Sequence, residues 1–272
     1  MPFHNRMINM QTPGRVQAVC KFLLLGSYPV EKVKEFVQPN SAEKNQAQEV
    51  ITLAKNGGLI RVDKQDIAHL NIPEEDVRDN KRFEHYLALK AFHNTDFIFG
   101  RFSAWVMSRS EKVINETKEE LAERFFNEVT KKYQATNEFN KDNIIAWMTW
   151  ANYFGLGHTM GTKFVTNPSR RIQRLLENDR ELQRNEFISF KKFMKWLGEN
   201  CPELDGGKLN LEFNEQFASQ QLSFALSLGL RTLHDLKVIT LKNTRDVEDI
   251  WYLQDIPLHE MPNQVTEIMV KG

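Results

Sequence analysis

Cysteine is scarce in this chain: there are two in 272 residues, Cys20 and Cys201, and neither belongs to a CxxC pair. A disulfide framework is therefore excluded, and two reduced thiols of a cytosolic protein are expected. Long apolar runs are missing too. No stretch approaches the ~20 apolar residues of a membrane helix, and the opening MPFHNRMINMQTPGR has no apolar core of the signal-peptide kind, so a cytoplasmic location without membrane contact is expected. Net charge is also absent, since 36 Lys+Arg meet 36 Asp+Glu, which argues against a general coater of nucleic acid. The hydrophobic share of 41% and charged share of 26% are those of a globular chain with room for two or three small domains.

Catalytic signatures are lacking as well. The seven histidines are scattered, with no HExxH or HxH. Gly155, Gly157 and Gly161 have neither the GxGxxG spacing nor a GK[ST] ending, and they follow a helical pattern rather than a strand, so they read as a bend. The acidic groups Glu119-Glu120 and Asp246-Val247-Glu248-Asp249 fall on a solvated helix and a loop tip. Metal-dependent nucleases usually hold their carboxylates in register on a sheet. No GxSxG is present. The expectation is a binding protein with no catalytic residue, no metal and no cofactor.

The apolar periodicity is mostly helical. Thr12-Pro13 opens a first helix that Gly26 stops, and a second follows Pro29 with Val30, Val33, Phe36 and Val37 inward. Ser41 caps a third, to Asn56, with Ala47, Val50, Ile51 and Ala54 inward. Leu59 to Val62 and Ile67 to Leu70 then read as a hairpin. Three helices and a hairpin predict a winged-helix module.

Helices are expected from Asp76 to His93, Asp96 to Met107 and Lys112 to Gln134, with another capped by Asp142. A basic helix spans Ser169 to Glu177, a further one starts at Asn185 or Glu186, and the last runs from Ser219 to Leu236. After it, Val238–Leu241 and Ile250–Leu253 read as a second hairpin around a polar tip. The predicted fold class is mainly α: tandem winged-helix modules at 1–73 and 161–272 flanking a helical bundle at 74–160.

Three surfaces are candidates for binding. The outer face of the third helix carries Asn45, Glu49, Thr52 and Asn56, flanked by Lys44, Gln48 and Lys55. These residue types suit bases and phosphates, apart from Glu49. A solvated helix face explains the same pattern. The second surface is the stretch Lys163 to Arg184, with Lys163, Arg170, Arg171, Arg174, Arg180 and Arg184. Nine Lys/Arg stand against five Asp/Glu from Leu156 to Asn200, and six against eleven from Cys201 to Gly272. Arg170 and Arg174 share a helix face, and the helix start at Asn167-Pro168 has free N–H groups to offer a phosphate. In the third surface, Gln220, Phe224, Ser227, Arg231 and His234 turn outward from the last helix. Phe224, Arg231 and His234 suit a protein partner better than DNA, because the following loop is acidic.

The segments TPGRVQAVCKFL, GTKFVTNPSRRIQRLL, ELDGGKL and LSFALSLGLRTLHDLKVITLKNTRDVEDIWYL together resemble the DpdG family. The resemblance covers most of the chain and rests on hydrophobic patterns and turns. It implies an accessory protein of bacterial clusters that place 7-deazaguanine bases in DNA and restrict foreign DNA, acting beside ATPases, helicases or nucleases. It carries over no catalytic residue. The main expectation is a non-catalytic subunit of a bacterial anti-phage defence complex, binding DNA and a protein partner, with a homodimer left open. The alternatives are a winged-helix transcription repressor and an accessory protein of an SMC-type ATPase.

Overall fold

The computed structural model describes residues 11–39, 45–94, 97–109, 111–130, 139–244, 249–256, 259, 261 and 263–272. The chain is mainly helical, with small antiparallel sheets. It divides into two compact units: Met1–Phe99 with Lys118–Tyr153, and Gly100–Thr117 with Phe154–Gly272.

The first unit opens with α1 (Pro13–Leu23), α2 (Val30–Val37) and α3 (Asn45–Asn56), interleaved with β1 (Tyr28–Pro29), β2 (Ile60–Val62) and β3 (Ile67–Leu70). The Thr12 hydroxyl accepts from the Arg15 N–H at 3.4 Å, and Pro13 sits where no N–H is needed, so α1 starts as expected. Val16, Val19, Cys20 and Leu23 face Val30, Val33, Val50, Ile51 and Ala54 in the core of the unit. The expected hairpin is present, and β1 adds an edge strand to give the order β1-β3-β2.

After this module come α4 (Glu74–Arg78) and α5 (Asn80–His93). The single helix expected from Asp76 to His93 is broken at Asp79, whose carboxylate accepts from the N–H groups of Lys81 (2.7 Å) and Arg82 (3.1 Å) and restarts the helix. Next are α6 (Ile98–Arg109), α7 (Glu111–Asn115), α8 (Lys118–Glu128) and α9 (Lys141–Tyr153). The helix expected over Lys112–Gln134 is thus two helices, broken at Glu116-Thr117, and its last four residues lie outside the described ones. Asn140, not Asp142, caps α9: its side-chain oxygen accepts from the Asp142 N–H at 3.0 Å.

The second unit contains α7 and most of α6. The glycine-rich stretch read as a bend is a hairpin of β4 (Gly157–Met160) and β5 (Lys163–Thr166). The rest is α10 (Ser169–Asn178), β6 (Phe187–Ser189), α11 (Phe190–Asn200), α12 (Phe224–Asp235), β7 (Ile239–Lys242), β8 (Trp251–Tyr252), β9 (Gln264–Val265) and β10 (Glu267–Val270). Ser223 caps α12, so the helix expected from Ser219 starts later, after a 3-10 turn at Glu215–Ser219. The second expected hairpin is re-paired. Ile239–Lys242 lies against Glu267–Val270, while Trp251–Tyr252 pairs with Gln264–Val265. Ile268 and Val270 are almost wholly buried, and the apolar return strand is drawn from the C-terminal end of the chain.

Helix, strand, helix, helix, strand, strand is therefore built twice, the second time with the β8-β9 pair inserted before the last strand, and both three-stranded sheets place the last strand in the middle: β1-β3-β2 and β6-β10-β7. The correspondence extends to single residues. Tyr28 and Val62 flank Ala68 as Ile188 and Leu241 flank Ile268. Helices α3 and α12 end on the same turn, with Gly58 at φ +68° and Lys237 at φ +61°. The next N–H donates to a carbonyl five residues back in each case, Leu59 to Ala54 at 2.9 Å and Val238 to Leu233 at 3.0 Å. The left-handed conformation costs little for glycine and more for lysine.

Between α11 and α12 lies a buried polar cluster. Arg171, 3% exposed, donates its Nε–H to the fully buried Glu203 at 2.9 Å. Burial works against the Arg171 charge, and its neighbours, Glu203 foremost, outweigh burial and hold the guanidinium above its usual range. Asp205 accepts from the Ser223 N–H at 2.5 Å and hydroxyl at 2.7 Å, tying the ELDGG turn to the cap of α12. The Asn210 amide reaches the Ala104 carbonyl of α6 at 3.4 Å.

Arg171→Ala leaves Glu203 buried and unpaired, and is expected to cost about 3–5 kcal/mol in urea unfolding. Arg171→Met combined with Glu203→Leu should recover most of that; a double variant as unstable as the single one would refute the pairing as the cause. Burial pushes the Asp205 carboxyl up to about 6, against the hydrogen bonds from Ser223. The folded state then holds this proton more tightly than the unfolded chain. Its contribution to stability is full at low pH, is lost as pH rises from about 4 to 6, and is level above. Relative to Asp205→Asn, the wild type should lose up to about 3 kcal/mol across that window in pH-resolved unfolding.

Candidate nucleic-acid interface

The outer face of α3 is built by its own periodicity. With Ala47, Val50, Ile51 and Ala54 inward, Gln48 and Lys55 are exposed and Thr52 is half-buried. The Gln48 amide donates to the Thr52 hydroxyl at 3.3 Å, so the two side chains stand side by side. Lys44 and the side chain of Asn45 lie outside the described residues. Glu49, the unwelcome acid of this face, is half-buried and engaged: its carbonyl and carboxylate accept from the Gln11 amide at 3.0 and 3.3 Å.

The hairpin after α3 adds two exposed cations that the sequence reading passed over, Arg61 on β2 and Lys64 in the turn. Its turn is braced by Asp63, which accepts from the N–H groups of Gln65 (3.0 Å) and Ile67 (2.9 Å) and pairs with His69 Nε2 at 2.8 Å. The bond from His69, followed by that from Ile67, holds the Asp63 carboxyl below its ordinary value. Asp66 is the exposed acid of the turn. The signal for the two cations was available: Arg61 alternates with the inward Ile60 on a strand, and Lys64 sits in a DKQD turn.

The basic stretch is dispersed by the fold. Lys163 and Arg170 are exposed and Arg174 is half-buried. Arg171 is not a surface group. It stands on the buried stripe of α10 with Ile172, Leu175 and Leu176, and it is spent on Glu203. Arg184 is half-buried and engaged, donating to the carbonyls of Leu176, Asp179 (2.9 Å) and Lys271 (3.5 Å). The start of α10 is also occupied: the Ser169 N–H donates to the Asn167 side chain at 3.1 Å and that of Arg171 to the Gly155 carbonyl at 3.2 Å. Gly229 of α12 packs so closely there that a Cβ would lie 3.0 Å from Pro168, leaving no room for a phosphate.

The surface expected on α12 is corrected in a similar way. Phe224 is half-buried, but Ser227 and Arg231 are buried. Part of the stretch between β7 and β10 lies across them as a strap. Arg231, 1% exposed, donates to the carbonyls of Met261 (2.9 Å) and Gln254 (3.2 Å) and to the Asn263 side chain (2.6 Å). The Ser227 hydroxyl accepts from the Gln254 N–H at 2.9 Å. His234 is tied inward as well, its Nδ1 accepting from the Leu241 N–H at 3.0 Å. Burial pulls the His234 pKa down, which favours the neutral ring that such an acceptor requires. The acidic loop residues 246–248 lie outside the described ones, while Asp249 accepts from the Gln220 side chain.

Glu119 is paired with Lys141 at 3.3 Å. Among the described residues, no three His, Cys, Asp or Glu side chains converge as a metal site would need, and no helix is long and apolar enough to cross a membrane. Cys20 and Cys201 are free and buried; burial pushes the Cys20 thiol up to about 12 and raises that of Cys201 too.

Two repeats of a small helical module on a three-stranded sheet thus define the class of protein. The chain belongs to the DpdG-like family, whose model matches residues 7–247. No curated protein and no solved structure matches it.

Arg231→Ala would remove the donor shared by Gln254, His259, Met261 and Asn263. Amide exchange at 251–256 and 263–265 is expected to rise about tenfold or more, with α10 and α11 unchanged. Unaltered exchange would mean that the buried Trp251, Leu253 and Val265 hold the strap by themselves.

Proposed function

We propose that this chain is a non-catalytic DNA- and protein-binding subunit of a bacterial anti-phage defence system, and that both repeats are winged helices. The order of elements, with the last strand central, supports the second statement. In such modules the third helix and the hairpin that follows face nucleic acid. Membership of the DpdG-like family supports the setting of DNA modification and defence.

The observation that carries the reading is the contrast between the two third helices. Residue for residue, Gln48, Thr52 and Lys55 of α3 correspond to Ser227, Arg231 and His234 of α12. The first set is open and adjoins a hairpin bearing Arg61 and Lys64, while the second is engaged by the chain's own strap and strand. DNA contact is therefore assigned to α3 and its hairpin, with Lys163, Arg170 and Arg174 as further cations. The covered α12 favours a protein-holding role for the C-terminal module. The same observation favours an SMC-type accessory protein as the second reading; co-purification of a large ATPase with no DNA shift would select it.

In mobility-shift titrations across a salt series, Lys55→Glu with Lys64→Glu is expected to weaken duplex binding by about tenfold or more and to remove close to two units from the salt slope. Binding by the double variant equal to wild type would reject α3 and its hairpin as the interface.

A further inference from the structure

Superposition of the two repeats by register sets α2 against α11. Pro29 and Ser189 precede the helices, Val30 and Val33 match Phe190 and Phe193 on the buried face, and β1 and β6 pair alike with the central strands. On the solvent side Glu31 then corresponds to Lys191, Lys32 to Lys192 and Glu35 to Lys195. All six are exposed. The same face of the same helix therefore alternates acid and base in one repeat and is uniformly basic in the other.

The helix itself does not ask for these lysines. Lys191 and Lys192 lie in the first turn of α11, which has no acid there, so they meet the positive end of the helix dipole. The first repeat shows that the fold accepts glutamate at the equivalent places. Nor are the lysines neutralised: among the described residues none of the three takes part in an ion pair, and Glu199, one turn beyond Lys195, is exposed and unpaired with it. Three unpaired cations on one short helix at a local cost point to an anionic ligand with repeated charges.

We infer that Lys191, Lys192 and Lys195 of α11 form a phosphate-backbone docking site for duplex DNA, giving the C-terminal module a DNA contact that does not use its covered α12. The inference rests on the DNA-binding reading above and adds a site to it. Contact is to phosphates alone, so it is independent of sequence and strongly dependent on salt.

The first repeat supplies the test variant. Lys191→Glu with Lys195→Glu installs residues the fold already carries at those places, so its melting temperature should stay near wild type. A control with the same charge change, Lys208→Glu with Lys271→Glu, reverses two other exposed lysines. Binding of a fluorescein-labelled duplex would be followed by anisotropy at several salt concentrations. The expected result is an affinity about tenfold lower for the α11 variant, with a salt slope smaller by about two units, and little change for the control. Wild-type affinity in the α11 variant, or an equal loss in the control, overturns the α11 site while leaving the DNA reading intact. A wild-type chain that binds no duplex overturns both.

Discussion

Arg171 is a guanidinium taken out of water and paired with a carboxylate, and the second unit is arranged around that pair. Arg171 lies on the inner stripe of α10, and its partner Glu203 has to come from the turn after α11. The turn is fixed in consequence. Asp205, two residues on, caps the cap of α12, and Asn210 reaches back to α6. Two helices of the repeat and one outside it are thereby held by polar groups with few alternative partners. Such an arrangement specifies geometry more than it adds stability, because desolvation offsets much of the attraction.

The two repeats differ in what they leave open. The outer face of the third helix is polar in both repeats. In α3 it meets solvent, with a braced hairpin behind it. In α12 the equivalent face is closed by carbonyls of the chain's own strap drawn onto Arg231. The second helices differ in the opposite sense: the acids of α2 are replaced by lysines on α11. Surface charge is thus moved within a module without altering the fold, since exposed side chains contribute little to the core that sets the topology.

Much of this was legible in the sequence. The helices of the first repeat and its hairpin follow from apolar spacing, Thr12-Pro13 and the Asn56-Gly57-Gly58 break. The chain's family followed from its turn and helix patterns. The second hairpin was misread because Ile250–Leu253 is as apolar as a return strand should be, and the true partner, Glu267–Val270, is far along the chain. Two modules of one kind were expected, but their residue-by-residue equivalence was not visible, since it holds in hydrogen bonds and register while the residues differ, as with Gly58 and Lys237. Of the candidate site residues, Gln48, Lys55, Lys163 and Arg170 are exposed as their helix or strand position suggests.

What the sequence by itself determined is local: how the first helix starts and where the third stops, which stripe of a helix turns inward, and that no membrane span is encoded among its apolar runs. Those follow from capping, propensity and periodicity, which act over a few residues. Only the tertiary structure decided which charges are available. Arg170 and Arg171 are neighbours of the same type, yet one is in water and the other is paired with Glu203, and Arg231 is claimed by carbonyls from a distant strap. Burial and partner are properties of packing between segments remote in sequence, so the same side chain can serve as surface or as frame, and its own neighbourhood in the chain does not tell which.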